Sequence, residues 1–200
     1  DTYMEKIVVG SNLPNNLMDI DNGVEKNIKL LAEAKSKNIS EIKACVLKRP
    51  RHGDIIKELK KLNVKINYIT DGDIAGALSV IGDKPKNDIY YSTGGGPEGV
   101  IVAAALSCYG GQIQGRLVLD DEEKIRAKKM GIKDFNRKYN ISDMVKGDVI
   151  FCATGVTSGD LASGVKDLGN EFEVNTFALH KSNNIIKSVK NIYNKWTHFL

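Results

Sequence analysis

Four short stretches of this sequence concentrate residue types that bind or transform phosphorylated molecules. Lys48-Arg49-Pro50-Arg51-His52 packs its cationic groups into five residues. A guanidinium meets a phosphate with two parallel hydrogen bonds, and a proline stiffens the loop that presents it. Thr70-Asp71-Gly72-Asp73 sets two carboxylates either side of a glycine, suited to accept from sugar hydroxyls or to hold a divalent cation. Ser92-Thr93-Gly94-Gly95-Gly96-Pro97-Glu98-Gly99 brings three consecutive glycines to a helix start, with Pro and Glu in the first turn. Such a backbone can close on a ligand, and the unpaired N–H groups of the helix favour an anion. Ala153-Thr154-Gly155-Val156-Thr157-Ser158-Gly159-Asp160 collects the hydroxyls of Thr154, Thr157 and Ser158.

Each stretch also has a plainer reading. A basic run is usually a solvated turn, and His52 suits a residue that caps or packs at the start of the next helix. Asp71-Gly72-Asp73 suits an Asx-turn with Asp73 as the helix N-cap. Glu98 suits a carboxylate complementing the helix dipole over a glycine turn, and a hydroxyl-rich turn needs no ligand. The glycine corner is not a Gly-Lys-Ser/Thr phosphate loop, nor is it a GxGxxG dinucleotide fingerprint in the right place. The stretches gain force together: a basic, an acidic and a glycine-rich corner suit a polyhydroxylated, phosphorylated ligand with a metal ion.

The elements between them alternate in period. Ile7 to Val9, Ala44 to Leu47, the alternating Val64, Ile66 and Tyr68, Ile89 to Ser92, Gly115 to Leu119, Val149 to Ala153 and Glu173 to Leu179 read as strands. Val24, Ile28, Leu31, Ala32 and Ala34 mark one helix face, stopped near Asn38; Ile55, Ile56, Leu59 and Leu62 mark another. A short helix is expected over Ile74 to Ile81, a longer one over Pro97 to Tyr109 before Gly110-Gly111, a charged one over Asp120 to Met130, and a helical end over Asn184 to Tyr193. The expected fold class is therefore α/β, a parallel or mixed sheet with flanking helices, and such sheets place ligands at the carboxyl ends of their strands.

Composition bounds the rest. With 200 residues, 42% hydrophobic and 27% charged, the chain can bury a core and is not disordered. Its 29 basic and 25 acidic residues make a mixed surface, which argues against nucleic acid as partner. The longest apolar run, Val100 to Leu106, is too short to span a bilayer, and the opening residues do not read as a leader. Cys45, Cys108 and Cys152 sit among apolar neighbours without metal spacing, as buried free thiols of a reducing cytoplasm. The chain opens Asp1-Thr2-Tyr3 straight into a strand, as a portion of something longer would.

The residues also carry a resemblance. Asp1 to Lys6, Arg49-Pro50-Arg51-His52, Asp71-Gly72-Asp73-Ile74-Ala75, Gly94 to Val100, Gln114-Gly115-Arg116-Leu117 and Ala153 to Leu161 follow in an order and spacing similar to the class II (GlpX-like) fructose-1,6-bisphosphatases. The resemblance covers essentially the whole chain. It implies a layered, inositol-phosphatase-like sugar phosphatase fold. The implied activity is hydrolysis of the 1-phosphate of fructose 1,6-bisphosphate to fructose 6-phosphate, in gluconeogenesis and glycerol metabolism, with Mn²⁺ or Mg²⁺ as cofactor. Sedoheptulose 1,7-bisphosphate is a further implied substrate, and a cytoplasmic homo-oligomer the implied assembly. By the same resemblance Glu98 is a metal ligand, and Tyr3, Arg49, Pro50, Arg51, Asp71, Gly72, Asp73 and Gly95 contact substrate; no catalytic group is assigned. Gly96 stands where relatives carry Ala or Thr, and Arg49 where Lys is also common. The family's Asp-Pro-Leu-Glu-Gly-Thr motif, with most metal-binding carboxylates, is not in this chain. Residues 1–200 therefore read as a C-terminal portion, inactive alone, whose missing N-terminal portion is the expected partner. The alternatives are a non-catalytic sugar-phosphate-binding module and a metal-independent domain using only the basic corner.

Overall fold

A computed structural model describes residues 2–195; Asp1, the first residue of the opening motif, lies outside them. In chain order the elements are β1 (Tyr3–Val9), α1 (Gly23–Ala34), β2 (Lys43–Leu47), α2 (Gly53–Lys61), β3 (Lys65–Ile69), α3 (Asp73–Leu78), β4 (Ile89–Gly95), α4 (Gly96–Tyr109), β5 (Gln112–Val118), α5 (Asp121–Lys129), β6 (Lys138–Asn140), α6 (Ile141–Met144), β7 (Ile150–Thr154), β8 (Lys166–Asp167), β9 (Glu171–His180) and β10 (Ile185–Asn194). Six strands form one mixed sheet in the order β3-β2-β4-β1-β5-β6. β2 runs parallel to both β3 and β4, whereas β1 is antiparallel to β4 and β5. The fold class is α/β, with this sheet flanked by helices.

Alternation along β1 shows how the layers stack. Ile7 and Val9 join Ile28 and Leu31 of α1 and Leu59 of α2 in a core on one face. Val8 joins Ala77 and Leu78 of α3 and Val102 and Leu106 of α4 on the other. A second sheet, β10-β9-β7 with β8 beside β9, closes over the outside of α4 through Phe151 and Leu179. Packed between the two sheets, α4 is apolar around its circumference, with Val102, Ala103, Ala105 and Leu106 buried and Val100 and Ile101 exposed near its start. Pro97 starts it, and Gly110 at φ +91° ends it by returning its N–H to Leu106 O at 2.7 Å.

The expected helical end is a strand. Asn184 takes a left-handed φ of +50° that turns the chain, and Ile185 to Asn194 pair in full antiparallel register with β9. Its β-branched side chains favour that pairing. Cys152 is exposed on β7, against the expectation of three buried thiols; Cys45 is buried and Cys108 half-buried, and all three are free. The short β6, α6 and β8 carry no periodic signal and were not expected.

Candidate active site

The carboxyl ends of the three parallel strands open on one edge of the sheet. β2 ends at Leu47 and delivers the basic corner, β3 ends at Ile69 and delivers the acidic corner, and β4 ends at Gly95 and delivers the glycine corner. The antiparallel β1 starts there too, with Tyr3 paired to Gly95.

In the basic corner Pro50 begins a single 3-10 turn over Pro50–His52. Arg49, Pro50 and Arg51 are exposed. Arg51 donates from Nε to Thr93 O at 2.6 Å, and its guanidinium stacks over the Tyr3 ring with a centroid distance of 5.0 Å. Among the described residues its two terminal nitrogens have no hydrogen-bond partner, which leaves them for an anion. His52 is not a ligand group. Its buried ring bridges Leu47 O at Nδ1 (2.7 Å) and accepts the Thr93 N–H at Nε2 (2.7 Å), tying β2 to β4 beneath the arginine. Burial holds its pKa below the usual histidine value.

The acidic corner divides. Gly72 takes φ +85°, a left-handed turn that favours glycine, and sends the chain into α3. Asp71 stays exposed, its Oδ1 accepting only from the neighbouring Gly72 N–H at 2.8 Å. Asp73 points inward. One oxygen takes the ammonium of Lys6; the other accepts from the Tyr90 hydroxyl and from Ser92 Oγ at 2.8 Å. Burial, with Asp73 beside it, raises the Tyr90 phenol pKa and keeps it protonated as a donor. The structure therefore separates the two aspartates that the sequence presents as equivalent, and Asp73 is not an N-cap.

The glycine corner holds the anomaly of the site. Glu98 is half-buried in the first turn of α4, and its Oε2 is buried with no hydrogen-bond partner. It lies directly against Gly95, where a Cβ would overlap it. An unpartnered carboxylate oxygen in a cradle that excludes side chains suits a cation, so Glu98 fits a single hard-metal ligand. Among the described residues no three His, Cys, Asp or Glu side chains converge as a metal cage. Gly96, where a Cβ would stand 3.3 Å from Thr2 O, donates its N–H to that oxygen at 2.8 Å.

The hydroxyl corner arrives from the second sheet. Thr154 pairs with Thr176 across strands (2.9 Å), so its hydroxyl serves the sheet. Thr157, Ser158 and Asp160 line, with Asn67, Asp71 and Gly72, a cavity of about 450 Å³ beside the acidic corner. Sequence reasoning missed Lys6. Its signal was available: a lysine in the middle of an apolar strand, at an alternation point shared with the buried Met4 and Val8.

Residues 1–193 of the 200-residue chain match the family model described as bacterial fructose-1,6-bisphosphatase, glpX-encoded. The chain belongs to this family. It is similar to the class 2 fructose-1,6-bisphosphatase of Haemophilus influenzae, 34% identical over 96% of this chain and 62% of that protein. The fructose-1,6-bisphosphatase 1 class 2 of Escherichia coli is 32% identical over 96% of this chain and 61% of its own. A Synechococcus relative named as both D-fructose 1,6-bisphosphatase class 2 and sedoheptulose 1,7-bisphosphatase is 32% identical over 98% of this chain and 60% of its own. The chain thus spans about three-fifths of the length of these relatives. Among the described residues no helix is long and apolar enough to cross a membrane.

Proposed function

We propose that this chain carries the substrate-binding side and one metal ligand of a bisphosphatase site. The reaction is hydrolysis of the 1-phosphate of fructose 1,6-bisphosphate, with water as co-substrate and fructose 6-phosphate and phosphate as products. The observation that carries this reading is the buried, unpartnered Glu98 Oε2 on the same sheet edge as the arginine corner.

Glu98 would hold Mg²⁺ or Mn²⁺ with one oxygen. When bound, the cation neutralises charge on the phosphoryl group and acidifies water, which phosphomonoester hydrolysis needs because it is extremely slow unaided. Arg49, Arg51 and Tyr3 hold the distal phosphate, whose binding orients the reacting one. Asp71, exposed and uncommitted to any other side chain, accepts from a sugar hydroxyl. The remaining metal carboxylates would come from a portion outside this chain, which spans about three-fifths of the length of its relatives. Sedoheptulose 1,7-bisphosphate, a cytoplasmic location and a gluconeogenic role belong to the same proposal.

A second reading, a sugar-phosphate-binding module without turnover, draws on the lack of a metal cage among the described residues. One experiment separates them: phosphate release during a Mn²⁺ titration, in the chain completed to the length of its relatives, with and without Glu98→Gln. Loss of partners around a ligand already costs about 10–100-fold, so loss of the ligand itself should lower kcat by at least that. A kcat unchanged across the titration removes Glu98 from the metal site. Binding of fructose 1,6-bisphosphate without phosphate release favours the module.

A further inference from the structure

The middle of β1 places a charge where the strand's alternation calls for an apolar residue. Lys6 lies between Met4 and Val8 on the α3/α4 face and is only 1% exposed. Burying an ammonium is costly unless partners replace its water. Its partners come from two different corners of the site. One is the Asp73 carboxylate of the acidic corner; the other is the Gly95 carbonyl of the glycine corner, at 3.1 Å. Ser92, which also holds Asp73, is the cross-strand neighbour of Lys6, and the lysine stem runs past Gly99, where a Cβ would stand 3.2 Å from Cδ. Gly95 is the last residue of β4, at the turn into α4, and it forms the floor beneath Glu98 Oε2.

We propose that Lys6 is a positioning residue, whose ammonium clamps the Gly95 carbonyl to the Asp73 corner and so fixes the turn that seats Glu98. Asp73 is then an internal counter-ion, and Asp71 is the ligand-facing carboxylate of its corner. The clamp is a property of this chain alone; its catalytic consequence rests on the bisphosphatase reading.

The test removes the ammonium without leaving a lone buried charge. Lys6→Met with Asp73→Asn keeps the volumes and deletes both charges. This double variant should melt near the wild type, while the Gly95, Gly96 and Glu98 amide resonances of the ¹⁵N-labelled chain broaden or double and those of β2 and α1 stay in place. In the chain completed to the length of its relatives, kcat for fructose 1,6-bisphosphate should fall ~10–100-fold, the Mn²⁺ needed for half-maximal rate should rise, and KM should move little, as for loss of a group that orients a metal ligand. If the wild type itself releases no phosphate, the bisphosphatase reading fails and the resonances alone decide the clamp. Sharp wild-type resonances at Gly95, Gly96 and Glu98 in the double variant would overturn the proposal and leave Lys6 as a charge balance. Should the double variant not fold, Asp73→Asn alone decides, since it loosens the anchor of Lys6 in the acidic corner: those three resonances should broaden or double, and wild-type sharpness at all three would overturn the clamp.

Discussion

Arg51 shows how one side chain can serve structure and ligand at once. Its Nε is spent on Thr93 O and its face on Tyr3, so the fork it offers an anion is already oriented. Removing a charge-assisted pair worth about 1.5–3 kcal/mol should raise KM for fructose 1,6-bisphosphate ~10–100-fold in Arg51→Ala, read from steady-state kinetics. Arg51→Lys should recover little, because an ammonium cannot anchor to Thr93 and grip a phosphate together. A wild-type KM would return the corner to a solvated turn. His52 beneath it fits only as a neutral ring, since a protonated Nε2 would face the Thr93 N–H. With a folded pKa lowered by burial, its contribution to stability is complete above about pH 6.5, the unfolded value, and declines as acid brings the pH down through the folded value. Urea unfolding at pH 7.5 and 5 should therefore show a smaller acid loss in His52→Gln than in the wild type.

At the scale of elements, the two sheets share a core through α4. Leu179 of β9 is 1% exposed and packs with Phe151 and Leu106. Leu179→Ala should cost about 2–5 kcal/mol by transfer and cavity terms, and denaturant unfolding should remain a single transition because the layers are not independent. Two separate transitions would contradict a common core. The strand-to-helix corners were legible in the sequence because glycine, proline and alternating apolar residues punctuate them, and the parallel order of β2, β3 and β4 follows from their connecting helices. The hairpin β9–β10 was not legible as such: Ile185, Ile186, Val189 and Ile192 also fall at helical spacing, and only the long-range register with β9 decides for a strand. The split between Asp71 and Asp73 was equally hidden. It depends on Lys6 and Tyr90, 67 and 17 residues away along the chain, which no local pattern reveals.

For the whole molecule, the layered arrangement gathers an anion-holding corner, a polar cavity and one orphan carboxylate oxygen onto a single edge, yet assembles no metal cage among the described residues. A hard cation needs about six oxygen ligands, and one glutamate leaves most of its lost hydration without replacement. On the proposed reading, this chain binds and orients a sugar bisphosphate and hydrolyses it together with carboxylates from another segment. The decisive measurement is phosphate release from fructose 1,6-bisphosphate with Mn²⁺, comparing the purified chain alone with the chain joined to the N-terminal segment of the Escherichia coli relative. No release is expected from the chain alone, and turnover is expected from the folded hybrid, abolished there by Glu98→Gln. Turnover by the purified chain alone, or by a hybrid indifferent to Glu98→Gln, would contradict that reading.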